Sequence, residues 1–397
     1  MEKSKTYCVM PHIGLALQND GDVCACNLNT LSYKNNERQV MFVHKDSIKD
    51  TWHSYTRKIL QKSLDSGERI AECKHCWDLE DAGKQSLRQH FNGLFKDIIP
   101  NSEQPKVFVL KPGNTCNLSC RMCNPATSSS WYKDAHKMAQ KRENFIGTLK
   151  EYTKNFESIR NSFSRDNQFW DDFAEWLPNL EYLDVYGGEP FLIDGLFDTI
   201  KKVQPSRLEN VSIRFHTNAQ RINEDYLDLL KDFKSVNIGI SIDSHIDEHM
   251  EYIRHGCSAE TVRANTKKLI EFAKDKTNIN LHVQLTVTPL NVFYLGEIIQ
   301  NLEETGLHIN VNYVTGPDEE YDIRHIPLPV KKIITDRINL NPRCKRENET
   351  EFLNQTIPGC DIIWPKFWKT TKMLDDIRGQ DFQSTFPEFY EVVKDYL

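Results

Sequence analysis

The chain of 397 residues holds 50 Lys and Arg against 57 Asp and Glu, a formal charge of −7, so nothing in its charge favours a nucleic-acid partner, which selects a basic face. With 39% hydrophobic and 27% charged residues, it has the composition of a soluble globular protein, long enough for two or three domains. No apolar run approaches the roughly 20 residues that cross a bilayer, and Met1 to Tyr7 lack the apolar core of a signal peptide; a cytosolic protein is expected, whose eleven cysteines do not read as a disulfide framework.

Residues 1–105 form the first unit. Ile13, Leu15 and Leu17 alternate as a strand and Asn19-Asp20-Gly21 supplies a turn, so Cys8 to Cys26 reads as a short hairpin. Its open end brings Cys8 near Cys24 and Cys26. A helical stretch follows from Ile48 to Ser63. Cys73-Lys-His-Cys76 is a C-x2-C knuckle, whose tight turn aims two sulfurs at one metal. Four such thiolates suit zinc and iron–sulfur alike. Cys24 and Cys26 share one face of a regular strand, and the roughly 6.6 Å between them keeps both from ligating one centre without a bend.

The run Val107–Leu110 reads as a buried strand, broken by Pro112 and Gly113. The loop beyond it places Cys116, Cys120 and Cys123 in a C-x3-C-x2-C spacing. Soft thiolates clustered this tightly suit an iron–sulfur cluster or zinc. Both ordinarily take four ligands and the loop offers three, so a fourth comes from elsewhere or one iron stays open to a small molecule.

Between Asn124 and Pro178 lies an insertion of helical composition. Apolar runs at Leu180–Val185, Asn210–Phe215, Val236–Ile242, Ile279–Val287 and His308–Val314 come after it. Amphipathic stretches at Leu192–Val203, Glu224–Phe233, Ala259–Ala273 and Val292–Leu302 separate them. The alternation predicts parallel β/α architecture with six βα units. From Pro327 to Leu397 the chain is a helical tail punctuated by Pro358, Pro365 and Pro387. Cys257, Cys344 and Cys360 are scattered and read as small buried hydrophobes.

In β/α barrels function gathers where strands end. Tyr186-Gly-Gly-Glu-Pro190 closes the second strand; Gly187 and Gly188 let the backbone approach a ligand closely, and Glu189 adds a charge suited to an ammonium. Thr217 and Asn218 end the third strand, Ser241 and Asp243 the fourth. Arg254 lies beyond them with a planar fork of donors suited to a carboxylate.

C-x3-C-x2-C after a first barrel strand resembles the radical S-adenosylmethionine (SAM) enzymes. The resemblance implies a partial (βα)6 TIM-like barrel over residues 106–326. It also implies a 4Fe–4S cluster on Cys116, Cys120 and Cys123, with SAM chelated at its open iron. Gly187, Gly188, Glu189 and Pro190 resemble the family's GGE motif, which binds the amino group of SAM. By the same resemblance Thr217, Asn218, Ser241 and Asp243 contribute to the cofactor site, and Arg254 clasps the carboxylate of SAM. Met122 stands where the family often has an aromatic residue near the adenine. Thr286, Thr288 and Asn312 are expected on the adenine or substrate side.

The C-x12-G-x4-C spacing of Cys8, Gly21 and Cys26 resembles the start of the SPASM and twitch modules, and the segment Cys76 to Arg88 is similar to the stretch after the knuckle of those modules. This implies an auxiliary 4Fe–4S cluster on Cys8, Cys26, Cys73 and Cys76 within residues 1–105, with Cys24 as the alternative to Cys26. Residues 327–397 are left as a helical extension. The implied activity is reductive cleavage of SAM, fed by a flavodoxin- or ferredoxin-type donor, with hydrogen abstraction from a peptide or protein side chain. A nucleotide, sugar or small metabolite is the alternative substrate. Alternatives of another class are a zinc-binding interaction protein and a two-cluster electron carrier.

Overall fold

The computed structural model describes residues 3–27, 29, 31–81, 83, 85–100, 103–141, 167–315, 319–341 and 347–397. Strands β1 (Gly14–Leu17) and β2 (Val23–Cys24) make the expected hairpin, Ala16 facing Cys24. Its turn closes with Gly21 N–H donating to Gln18 O at 2.9 Å. Gly21 sits at φ 86°, a left-handed conformation that costs glycine little. Ile13 is not part of the strand; it ends the short helix Met10–Ile13 that leads into it.

The six expected strands are present as β3 (Val107–Leu110), β4 (Tyr182–Val185), β5 (Ser212–Thr217), β6 (Ser235–Ser241), β7 (Ile279–Val287) and β8 (His308–Tyr313). They stand side by side in the order β2-β1-β3-β4-β5-β6-β7-β8. β1 pairs with β3 in parallel, Gly14 opposite Val107 through Leu17 opposite Leu110. The parallel run is therefore longer than the six strands expected, because the N-terminal hairpin continues the same sheet.

The two faces of this sheet differ in chemistry. Phe108, Leu183, Ile213, Val236 and their neighbours in register pack into the main hydrophobic core under the helices. The opposite face carries Asp184, Arg214, Asn237 and Asn280 in one row, and His216, Gly239, His282 and His308 in the next.

Most helices fall where periodicity places them: Asp194–Lys202, Glu224–Leu230, Ala259–Ala273 and Leu295–Glu303. The stretch expected from Ile48 to Ser63 is two helices, because the Ser54 side chain caps a new one by accepting from Arg57 N–H. The Cys73–Cys76 knuckle is corrected. Cys73 ends a 3-10 turn (Ala71–Cys73) and Cys76 lies in the helix Lys74–Asp81, so helical spacing rather than a tight turn sets the two sulfurs on one side. Pro365 does not punctuate the tail either; it lies inside the helix Cys360–Arg378. The insertion contributes the helices Tyr132–Gln140 and Asn167–Trp176. Its residues 142–166, and Cys344, lie outside the described residues. Among the described residues no helix is long and apolar enough to cross a membrane.

Candidate metal centre

The loop after β3 is folded back on itself and against two other segments. Cys123 N–H donates to Cys120 O at 3.0 Å, Ser119 N–H to His255 O at 2.9 Å and Arg121 N–H to Ile253 O at 2.8 Å. Gly187 and Gly188, both at positive φ, lie against this loop: a Cβ on Gly188 would stand 2.2 Å from Thr115 O. The close approach these glycines permit is thus first of all to the cysteine loop itself. Glu189 N–H also donates to Thr115 O, at 2.8 Å.

Glu189 does not present a bare carboxylate. It is buried and accepts from Thr217 Oγ1 at 2.7 Å, Asn218 N–H at 2.7 Å and Phe191 N–H at 3.3 Å. Burial pushes it up to about 7 against these donors. Pro190 opens the 3-10 turn beyond it. Asn218 Nδ2 reaches Asn117 Oδ1 at 2.9 Å and lies 3.8 Å from Cys116 Sγ, so the end of β5 braces the cysteine loop.

Asp243 is wholly buried, with Oδ1 accepting from Thr286 N–H at 2.8 Å and Oδ2 from Arg254 Nη1 at 2.7 Å. A buried carboxylate is retained where it is paired; this one positions Arg254. Thr288 is fully buried in a turn where its N–H donates to Asn291 Oδ1 at 2.8 Å.

A cavity of about 840 Å³ opens between the loop and the polar face of the sheet. Cys120, Met122, Cys123, Ser241, Arg254, Thr286 and Asn312 all line it. Arg214, His216 and His282, which sequence reasoning leaves unassigned, line it too. Their signal is present as polar residues at every second position of otherwise apolar strands, as in Asn280, His282, Gln284 and Thr286. Arg214 Nε donates to Asp184 Oδ1 at 3.0 Å and Nη2 to Tyr186 Oη. His216 and His282 meet edge-on with centroids 5.7 Å apart, over Gly239, where a Cβ would lie 2.2 Å from His216. Burial, Arg214 and His282 hold His216 down to about 4, so this wall carries neutral imidazoles.

The donor set fits a cluster with a ligand at its open iron. Cys120 and Cys123 share a hydrogen bond that raises the first and lowers the second, and the Arg254 guanidinium favours the thiolate at both. Arg254 Nε is buried and unpartnered, a donor left over for an anionic group on the cavity side. Among the described residues no three His, Cys, Asp or Glu side chains gather tightly enough for a single ion, whereas cluster thiolates are spread over separate irons.

A second cysteine set lies at the N-terminal hairpin. Burial pushes Cys8 up to about 12, and Cys73 and Cys76 are close enough to add to this while Arg88 opposes it. Cys26 shares with Cys8 the apolar surroundings of Val9, Met10 and Ile13. Cys24 packs elsewhere, with Ala16, Val109 and Tyr186, and its thiol donates to Cys26 O at 3.1 Å. The hairpin turn also touches the first site: Asn19 Nδ2 donates to Ala126 O, just past Cys123, at 2.7 Å.

The tail forms the back wall of the cysteine loop. The Arg121 guanidinium stacks on Tyr252 at 3.6 Å and pairs with Asp375, while Nη2 donates to Gln380 Oε1 at 3.0 Å. Arg378 Nη2 donates to Ser119 O at 2.8 Å, and Trp131 Nε1 to Cys120 O at 2.7 Å. None of these partners is expected from local sequence.

Comparison with known proteins bears on this site. Residues 110–292 match the family described as the Radical SAM superfamily. No curated protein matches the chain. Among solved structures it is similar to SuiB of Streptococcus suis bound to S-adenosylmethionine, with 16% identity over 83% of this chain and 68% of that one, at a TM-score of 0.35. It is similar also to anSMEcpe with bound AdoMet, at 13% identity, 58% and 59% coverage and a TM-score of 0.36. A third is the radical S-adenosylmethionine methyltransferase TsrM from Kitasatospora setae, at 14% identity, 37% and 28% coverage and a TM-score of 0.29. The chain spans 59% of the length of anSMEcpe.

Proposed function

Starting from the match of residues 110–292 to the Radical SAM superfamily, an enzyme domain, we propose that this chain cleaves SAM reductively and abstracts hydrogen from a peptide or protein side chain. The observation that carries the reading is the convergence of Cys120, Cys123, Met122 and Arg254 on one cavity walled by the polar face of the sheet. On this reading the strands from β3 to β8 form the partial (βα)6 barrel, residues 1–105 a twitch- or SPASM-like unit and residues 327–397 a helical extension. When bound, the cluster and SAM supply one-electron cleavage of the sulfonium to methionine and a hydrogen-abstracting 5′-deoxyadenosyl radical.

The chain's own part is to hold and orient. Cys116, Cys120 and Cys123 ligate the 4Fe–4S cluster. Arg254, fixed by Asp243, offers Nε to the SAM carboxylate. The Gly187–Pro190 turn, held against Thr115 and fastened by Thr217 and Asn218 through Glu189, shapes the amino-group side, and Met122 and Ser241 flank the rest of the cofactor. Cys8, Cys26, Cys73 and Cys76 hold an auxiliary 4Fe–4S cluster, and a flavodoxin- or ferredoxin-type protein in the cytosol supplies electrons.

Charge in the cavity favours a neutral substrate segment over a nucleotide. Arg214 is paired with Asp184, Arg254 is taken up by Asp243 and, on this reading, by the SAM carboxylate, and the half-buried His216 stays uncharged. The test is the electron paramagnetic resonance (EPR) spectrum of the reduced, reconstituted protein. Addition of SAM should change one cluster signal; a spectrum indifferent to SAM would rule the reading out.

A further inference from the structure

Asn29 sits between the two halves of the N-terminal cysteine set, fixed by its backbone N–H and by both ends of its side-chain amide. It is 7% exposed. Its N–H donates to Cys26 O at 3.2 Å, and its Oδ1 accepts from Leu31 N–H at 2.9 Å. Because Leu31 N–H needs an acceptor, oxygen occupies that side of the amide and Nδ2 the other. There Nδ2 donates to Cys73 Sγ at 3.3 Å. One residue thus joins the end of the hairpin to the turn Ala71–Cys73, 44 positions later in the chain. A protonated thiol accepts a hydrogen bond only weakly, so a buried amide aimed at one is stabilised little. A thiolate makes the same contact charge-assisted and about twice as strong.

Resting on the reading that Cys8, Cys26, Cys73 and Cys76 hold an auxiliary 4Fe–4S cluster, we propose that Asn29 donates to the Cys73 thiolate of that cluster and raises its reduction potential. Hydrogen bonds to sulfur are among the determinants of cluster potential, and outer partners of this kind tune a metal site. Adding an electron increases the negative charge on sulfur, so the donor favours the reduced state. Cys24 gives the contrast. Gln18 Nε2 donates to Cys24 Sγ at 3.1 Å, while Gln18 Oε1 accepts from Lys111 Nζ at 2.6 Å. That donor is nearer its sulfur than Asn29 is, but the sulfur lies outside the ligand set and carries no cluster charge. Asn29 is a positioning residue that acts through Cys73.

The experiment is a potentiometric titration of the reconstituted full chain, tracking the EPR signal that SAM leaves unchanged. Asn29→Ser keeps a short side-chain acceptor for Leu31 N–H and withdraws the donor from Cys73. A lost hydrogen bond to a charged acceptor corresponds to about a tenfold weaker reduction equilibrium, a potential about 59 mV more negative for one electron, with iron content unchanged. Asn29→Asp also keeps the acceptor but sets a like charge beside the thiolate, so its potential should lie lower still. Gln18→Met is the control and should leave that potential unmoved. An unchanged potential in Asn29→Ser, an equal shift in Gln18→Met, or loss of the cluster's iron from both Asn29 variants would overturn the proposal. Absence of a second cluster from the unaltered protein, with the SAM-sensitive signal present, would instead defeat the reading of the N-terminal cysteines beneath it.

Discussion

Removing Asp375 should cost this protein far more than removing a surface carboxylate of the same kind. The Arg121 side chain is 0% exposed and its partner Asp375 12%. Asp375 also accepts from Tyr252 Oη at 2.7 Å and from Phe382 N–H at 2.9 Å. Asp375→Ala would strand a buried guanidinium beside Tyr252, and breaking a buried pair from one side costs about 3–5 kcal/mol. Asp247→Ala is the comparison: its pair with Arg263 is 45% and 53% exposed, and such pairs contribute about 1 kcal/mol or less. Denaturant unfolding monitored by tryptophan fluorescence gives both values. Replacing the whole pair, as Arg121→Met with Asp375→Leu, should recover most of the loss, because no charge is left buried. If Asp375→Ala cost no more than Asp247→Ala, the tail would not be clamping the cysteine loop through Arg121.

Arg254→Ala should weaken SAM binding about tenfold or more, the effect of one charge-assisted contact of about 1.5–3 kcal/mol; equilibrium binding to the reconstituted protein measures it, and unchanged affinity would return Arg254 to a purely structural pair with Asp243. Cys26→Ala should abolish the auxiliary cluster and Cys24→Ala should retain it, as read from iron content and Mössbauer spectra after reconstitution. His216 stays neutral in the fold down to about pH 4 while the unfolded chain protonates near 6.5. Its contribution is thus present above that value and lost as pH falls from 6.5 to 4, amounting to roughly 3 kcal/mol. His216→Asn should flatten that part of the stability profile, and an unaltered slope would contradict the half-buried neutral imidazole.

The features legible in the sequence are local ones. Six strands are visible because each is a short apolar run bounded by breakers, and the GGE-like turn is visible because two glycines come directly after one such run. The loop cysteines need only their spacing. The knuckle at Cys73 and Cys76 is ambiguous in sequence because a turn and a helix both bring residues three apart to one side. A strand-end position marks Asp243 and Thr288 as candidates but does not name the partners they take in the fold, Arg254 and Asn291, although both sit within a dozen residues. The parallel pairing of Gly14–Leu17 with Val107–Leu110, and the pairing of Arg121 with Asp375, join residues 93 and 254 positions apart. Neither leaves a periodic or compositional trace in sequence. The polar alternation of β7 does leave one, and it marks the cavity wall.

The central claim is that Cys116, Cys120 and Cys123 carry a cluster that cleaves SAM. The most direct measurement is formation of 5′-deoxyadenosine and methionine from SAM by the dithionite-reduced protein, with all three cysteines present and with all three replaced by Ala. The account predicts product from the first and none from the second, while iron bound at the N-terminal cysteine set is retained. Equal product from the triple variant would contradict it.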